Sequence, residues 1–187
     1  MRSICWICVV VLWVFSCNKP RNQSPNAPGI QLVLPPLAPG IESRPVDIET
    51  GQTTPAQLVT FARSLKGVPY KYGSVDPEQG FDCSGFVTYV FNHFNIRVPR
   101  PSVDFTFANR NIDIKKAKPG DVILFTGSDS TTRIVGHIGI IVSHHRGDLI
   151  FIHATSGDGY GVTETPFNLY YQQRYIKTIR VFPQNDR

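Results

Sequence analysis

Cys83 is the residue most open to chemistry in this chain. Four cysteines are present, and the other three, Cys5, Cys8 and Cys17, all fall within the first seventeen residues. A disulfide inside the folded body is therefore excluded, and the Cys83 thiol is free for nucleophilic work. It follows an aspartate in the run Phe81-Asp82-Cys83-Ser84-Gly85-Phe86-Val87. Asp82 is suited to cap a helix, which puts Cys83 in the first helical turn. Unpaired amides there favour negative charge, so the thiol pKa is expected to fall from its free value of about 8.5 and ready a thiolate. The same amides, that of Cys83 included, would hydrogen-bond the oxygen of an attacked carbonyl.

A thiol nucleophile needs a base, and five histidines are available. His137 opens the run GHIGIIV and His153 lies near the end of LIFIHA. If these two strands pair as an antiparallel hairpin, their imidazoles share one end of the sheet. One ring then reaches the sulfur and the other orients it. His144 and His145 are expected in the turn between the strands, and His93 at the end of a helix, as surface residues. A cysteine at a helix start is more often a small buried hydrophobe, and a strand histidine more often structural. The conjunction of the three, rather than any one, points to a nucleophile, base and orienter.

These side chains need a scaffold. Thr54-Pro55-Ala56-Gln57 reads as a capping box with proline at the first helical position, followed by Leu58, Phe61, Ala62 and Leu65 at helical spacing and Gly67 as C-cap. A loop leads to the second helix, whose buried face would carry Phe86, Val87, Val90, Phe91 and Phe94. After Pro119-Gly120-Asp121, four short runs rich in Val, Ile and Phe read as strands: 122–125, 137–142, 149–154 and 176–181. Helices first and adjacent strands afterwards predict an α+β fold with a largely antiparallel sheet.

The N-terminus has a different character. Ile4 to Phe15 is an apolar run of twelve, too short for a stable membrane span and suited to a signal-peptide core. Val14-Phe15-Ser16-Cys17 resembles a bacterial lipoprotein cleavage box. Residues 1–16 are thus expected as a leader, with Cys17 as the lipidated residue of an exported, membrane-anchored protein of the cell envelope; the other reading is an ordinary secretory leader cut nearby, with Cys17 an incidental thiol. Asn18 to Thr50 carries seven prolines and no helical period, as expected of a tether within residues 17–52. The folded domain is assigned to 53–187. The net charge is +5, with no dense run of Lys or Arg, which suits an anionic partner and argues against nucleic acid.

Six blocks carry a family resemblance: Pro69-Tyr70-Lys71-Tyr72-Gly73, Phe81 to Val87, Val98-Pro99-Arg100, Lys118 to Phe125, Gly136-His137-Ile138-Gly139-Ile140 and Phe151-Ile152-His153-Ala154. In order and spacing they resemble the NlpC family of cell-wall cysteine peptidases, especially its small lipoprotein members. The resemblance implies a compact papain-like fold, with Cys83 as nucleophile, His137 as base and His153 as orienter. It implies Tyr70 near the oxyanion site and Ser84 at the substrate. No metal or organic cofactor is implied, and a monomer is expected. The implied substrate is the peptidoglycan stem peptide, cut between D-glutamate and the diamino acid. Ser74 and Phe105 depart from the family pattern, which leaves their effect on the implied substrate preference open. Two other readings stay open: a papain-like acyltransferase or amidase acting on another amide or ester, and a non-catalytic wall-binding lipoprotein.

Overall fold

The computed structural model describes residues 47–108 and 110–187. The expected leader, Cys17 and most of the proline-rich tether lie outside the described residues.

Helix α1 (Pro55–Ser64) begins at the capping box: the Thr54 hydroxyl accepts from the Gln57 amide at 3.3 Å, and Gln57 Oε1 accepts from the Thr54 amide at 2.9 Å. The helix is capped at Leu65, two residues before the expected Gly67. Gly67, at φ +88°, instead donates its amide to the Val162 carbonyl at 2.9 Å and ties the helix exit to an edge strand. Helix α2 (Cys83–Asn92) follows the small hairpin β1 (Val75–Asp76) and β2 (Gly80–Phe81). Asp82 is its N-cap, its carboxylate accepting from the Gly85 amide. Phe94, expected on the helix, lies in the turn beyond it and packs edge-on to Phe61 at 5.9 Å.

The main sheet has six antiparallel strands in the order β3-β8-β4-β5-β6-β7, formed by Asn111–Ile112, Tyr175–Ile179, Val122–Thr126, Val135–His145, Asp148–Thr155 and Gly161–Pro166. Alternation along the strands sorts the core onto two faces. Val122, Leu124, Ile138, Ile140 and Ile152 join the cluster that contains Phe86, Val87 and Val90 of α2, which lies against β5 and β6. Ile123, Phe125, Ile141 and Phe151 form a second cluster with Tyr171 of the short helix α3 (Leu169–Arg174). The α+β class and the antiparallel sheet are as the sequence pattern predicts.

Several boundaries differ. Strand β5 continues through His144 and His145, and the chain reverses at Arg146-Gly147, both at positive φ, so these histidines end the strand rather than form the turn. A two-residue turn with positive φ matches the twist of paired strands, which lets pairing run to its edge. Strand β7 and helix α3 were not anticipated: GVTETP has a single branched apolar residue, Val162, and α3 is six residues long. Phe105 is fully buried in the core, in a 3-10 helix, and is not among the residues lining the cavity onto which Cys83 opens. At the base of the sheet, fully buried Asp121 accepts two bonds from Arg180 at 3.4 and 3.2 Å, joining the start of β4 to the residue after β8.

Candidate active site

The mouth of α2 is assembled by close backbone approaches. The Phe81 amide donates to Pro69 O at 2.9 Å and the Lys71 amide to Phe81 O at 3.0 Å, so Tyr70 is carried past the start of the helix. A side chain at Gly80 would meet Pro69 O at 2.5 Å, and Gly80 sits at φ +115°, so only glycine fits this approach. Arg100 clamps the Asp82 carboxylate with both terminal nitrogens, at 3.1 and 3.0 Å, and donates to the Ser84 hydroxyl at 2.7 Å. Ser84 in turn donates to Asp82 at 3.2 Å. The buried Ser84 hydroxyl is thus held in the network that braces the cap, and Ser84 is not among the residues lining the cavity onto which Cys83 opens.

The electrostatics of Cys83 differ from expectation. Burial, followed by the Asp82 carboxylate, pushes the thiol up to about 11, while the amides of Ser84, Ile138 and Cys83 itself pull the other way. The helix-start amides act in the expected direction but are outweighed, because desolvation penalises the thiolate more than a few dipoles reward it. The Ile138 amide matters for geometry as well. Ile138 follows His137 in the chain, so the start of β5 is brought onto the sulfur.

His137 stands opposite Phe125 in the β4–β5 ladder. Its Nε2 lies 2.7 Å from Nδ1 of His153, whose Nε2 is 2.9 Å from the Thr165 hydroxyl on β7. Strands β5 and β6 form the expected antiparallel pair, with Ile140 opposite Ile152. Continuing that register sets Gly139 across from His153. A side chain at Gly139 would meet the Phe151 ring at 2.8 Å and His153 Cβ at 3.3 Å, so the glycine opens the path along which His153 reaches His137. Phe125, Phe151 and Tyr171 surround the two rings. Burial, then His153, then the Arg174 cation hold His137 well below its usual range. Burial and Arg174 push His153 down to about 3. Both imidazoles are thus held toward the neutral form, as the Cys83 thiol is held toward its protonated form.

Cys83, His137 and Tyr70 line one cavity of about 650 Å³. Burial, then Cys83 and Asp82, raise the Tyr70 hydroxyl above its ordinary value and keep it a proton donor. Among the described residues, no group of three or more His, Cys, Asp or Glu is arranged to hold a metal ion.

The NlpC/P60 family pattern matches residues 67–180. The chain belongs to the NlpC/P60 family. Over 135 residues it is 30% identical to the gamma-DL-glutamyl hydrolase of Bacillus subtilis, covering 72% of this chain and 32% of that protein. Over 179 residues it is 26% identical to the probable endopeptidase NlpC of Escherichia coli, covering 95% of this chain and 98% of that one. Among solved structures it is similar to the NlpC/p60 domain of the peptidoglycan hydrolase SagA, with 28% identity and a TM-score of 0.55 over 68% of this chain and 99% of that domain. The chain therefore spans only about a third of the Bacillus subtilis relative. The papain-like α+β fold expected for an NlpC/P60 protein is the one found.

Sequence reasoning missed two residues of this NlpC/P60 site. Thr165 lies on polar edge strand β7, and Arg174 ends a helix too short to leave a periodic signal. Neither position is marked by composition.

Proposed function

We propose that the protein is an exported cysteine endopeptidase that cuts the stem peptides of peptidoglycan at the bond between D-glutamate and the diamino acid. Cys83 is the nucleophile, His137 the base, His153 the orienting residue and Tyr70 a donor to the oxyanion. Cys17 carries the lipid that holds the protein at a bacterial membrane. The observation that carries this reading is the hydrogen bond between His137 Nε2 and His153 Nδ1, at 2.7 Å, on a ring that lines the same cavity as Cys83. The relatives named as a gamma-DL-glutamyl hydrolase and a probable endopeptidase support the reaction class and the glutamyl bond.

The hydrogen bonds are consistent with one productive tautomer. If His153 Nε2–H donates to the Thr165 hydroxyl, its Nδ1 is an acceptor and takes the Nε2–H of His137. His137 Nδ1 then bears the lone pair. It takes the thiol proton as sulfur attacks the amide carbon, and the oxyanion is met by amides at the helix mouth and by Tyr70. The imidazolium returns the proton to the departing amine as the C–N bond breaks. Water, activated by the same nitrogen, hydrolyses the thioester and restores the thiol.

Purified peptidoglycan digested with the full chain should release stem fragments of the expected mass, and Cys83→Ala should release none while unfolding at an unchanged temperature. Retained activity in Cys83→Ala would refute the assignment. Release of acyl groups from lipids, with intact stems left uncut, would favour the acyltransferase reading instead.

A further inference from the structure

Strand β5 carries one residue more than its partner at the point where it presents His137. Phe125 stands opposite His137 and Thr126 opposite Val135, so Gly136 is an extra residue, a bulge of the kind that re-aims a neighbouring side chain. The chains close tightly on it, for a side chain at Gly136 would meet the Gly127 backbone at 2.6 and 2.7 Å. The other flank of β4 is irregular at the same level, where its pairing with β8 shifts between Leu124 and Phe125. Regular ladder pairing therefore lapses on both sides of β4 just where the base is set. One side chain bridges this lapse. Arg174, 8% exposed, donates to Thr126 O at 3.0 Å and to Gly127 O at 3.1 Å, the carbonyls of the two residues that pass the bulge. In the opposite direction Arg133, from the loop between β4 and β5, donates to Gln173 O at 3.2 Å and to Tyr175 O, on either side of Arg174. The Arg174 guanidinium also lies 5.7 Å from the centre of the Tyr171 ring, and that ring stacks on His137 at 6.4 Å.

We propose that Arg174 is a positioning residue for the base: it pins the Gly136 bulge from across the β4–β5 ladder and so fixes where the His137 ring stands relative to Cys83 and His153. A planar guanidinium suits this task, because its fork reaches two successive carbonyls in a fixed geometry, which an ammonium on a flexible stem does not. The consequence is chemical. His137 Nε2 is 2.7 Å from His153 Nδ1, so the other ring nitrogen has to meet the thiol, and a misplacement of about 1 Å at such a point costs up to about 10²-fold in rate. Arg174 acts here through the backbone and Tyr171, without touching the reacting atoms. Because it also borders the cavity, a direct contact with substrate is the rival outcome, and the two differ in the kinetic constant they change. The inference rests on the endopeptidase reading only for the rate by which it is measured.

The test compares the wild type with Arg174→Gln, Arg174→Lys, Gly136→Ala and the double variant of Gly136→Ala with Arg174→Gln, all as full chains on one defined stem peptide, after their melting temperatures are taken. Arg174→Gln should lower kcat about tenfold to a hundredfold while KM stays within about threefold of the wild type. Arg174→Lys, which keeps the charge and loses the fork, should lower kcat by at least about threefold. Gly136→Ala should also lose kcat, and the double variant should lose clearly less than the product of the two single losses, since both act on one bulge. Without substrate, nitrogen-15 spectra should show the ring signals of His137 and His153 moved in Arg174→Gln, with those of His93, at the far end of α2, in place. A loss confined to KM would make Arg174 a substrate contact and overturn the proposal, as would losses that multiply or ring signals that coincide with the wild type. If Arg174→Gln does not fold, Arg174→Lys and Gly136→Ala decide by the same readouts. If the wild type cuts no stem peptide, the endopeptidase reading falls, and the ring signals alone decide the positioning role: moved signals support it and unmoved ones overturn it.

Discussion

Nε2 of His137 and Nδ1 of His153 are 2.7 Å apart, so the two rings share one proton across neighbouring strands. Only one of the two orientations of that proton leaves His137 able to act as a base toward Cys83. That orientation is the one in which His153 Nε2–H donates to the Thr165 hydroxyl, 2.9 Å away. Replacing His137 by Ala is expected to cost roughly 10²–10⁴ in kcat/KM, the usual range for a general base. His153→Ala should cost less, because it removes a hydrogen bond worth about 1 kcal/mol and some order in the ring rather than the proton acceptor. His153→Gln, which keeps a polar side chain at this position, should recover part of that loss. Kinetics on a defined stem peptide rank the three, and a loss in His153→Ala equal to or larger than that of His137→Ala would reverse the assigned roles.

The raised Cys83 pKa sets the pH dependence of its reactivity. A thiol held up to about 11 is protonated throughout the neutral range. Alkylation of the free protein by iodoacetamide should therefore be slow at pH 5 and climb about tenfold per unit toward the alkaline side, since the thiolate is the reacting species. A rate that stays flat from pH 5 to 8 would mean that a thiolate–imidazolium pair already exists at rest, and the neutral-pair description would be wrong.

How much of this was legible in the sequence depended on the kind of signal each residue carries. Cys83, Asp82 and the α1 capping box were readable because caps act within three or four residues of chain. His137 and His153 were readable because alternating apolar runs identify strands, and a hairpin fixes which ends meet. The Cys83 pKa was misjudged because amide dipoles are a local property, whereas burial by the sheet and the proximity of Asp82 belong to the packed molecule. Phe105 was singled out only by its departure from the family pattern, and its burial in the core depends on the packed molecule. Arg174 was invisible: a lone arginine at the end of a six-residue helix gains its meaning only from the carbonyls of Thr126 and Gly127, nearly fifty positions away.

The depressed histidines also predict an acid limit to stability. A base whose folded pKa lies below its unfolded value of about 6.5 binds more protons when unfolded. For His153 that window runs from about 6.5 down to about 3, where the folded state stays neutral while the unfolded state is charged. Stability is thus intact above pH 6.5 and declines as pH falls through the window, by up to about 1.4 kcal/mol per unit for each such histidine. His137 adds in the same direction. Denaturant titrations at pH 7 and pH 4.5 should show the loss, and His153→Gln should flatten it. A variant whose stability falls as steeply as the wild type between those values would trace the acid sensitivity to other groups.

Gly85 is the tightest packing constraint at the site. A methyl carbon placed there would lie 2.0 Å from Ser74 O and 3.0 Å from Asp82 Oδ1. Ser74 O also accepts the Asp82 amide at 3.2 Å, so the loop cannot withdraw without loosening the residue that caps α2 and precedes Cys83. Overpacking of this kind costs about 1–3 kcal/mol or more, and in a domain of this size each kcal/mol lowers the melting temperature by about 2–8 °C. Gly85→Ala should therefore melt well below the wild type and lose activity beyond what its folded fraction explains, since the helix mouth moves relative to His137. Gly157→Ala, where the nearest atom would be a Thr155 hydroxyl at an ordinary 3.5 Å, serves as the comparison and should melt within about 0.5 kcal/mol of the wild type. Equal melting temperatures for the two variants would show that the Ser74 loop yields freely and that the close approach is not what seats Cys83.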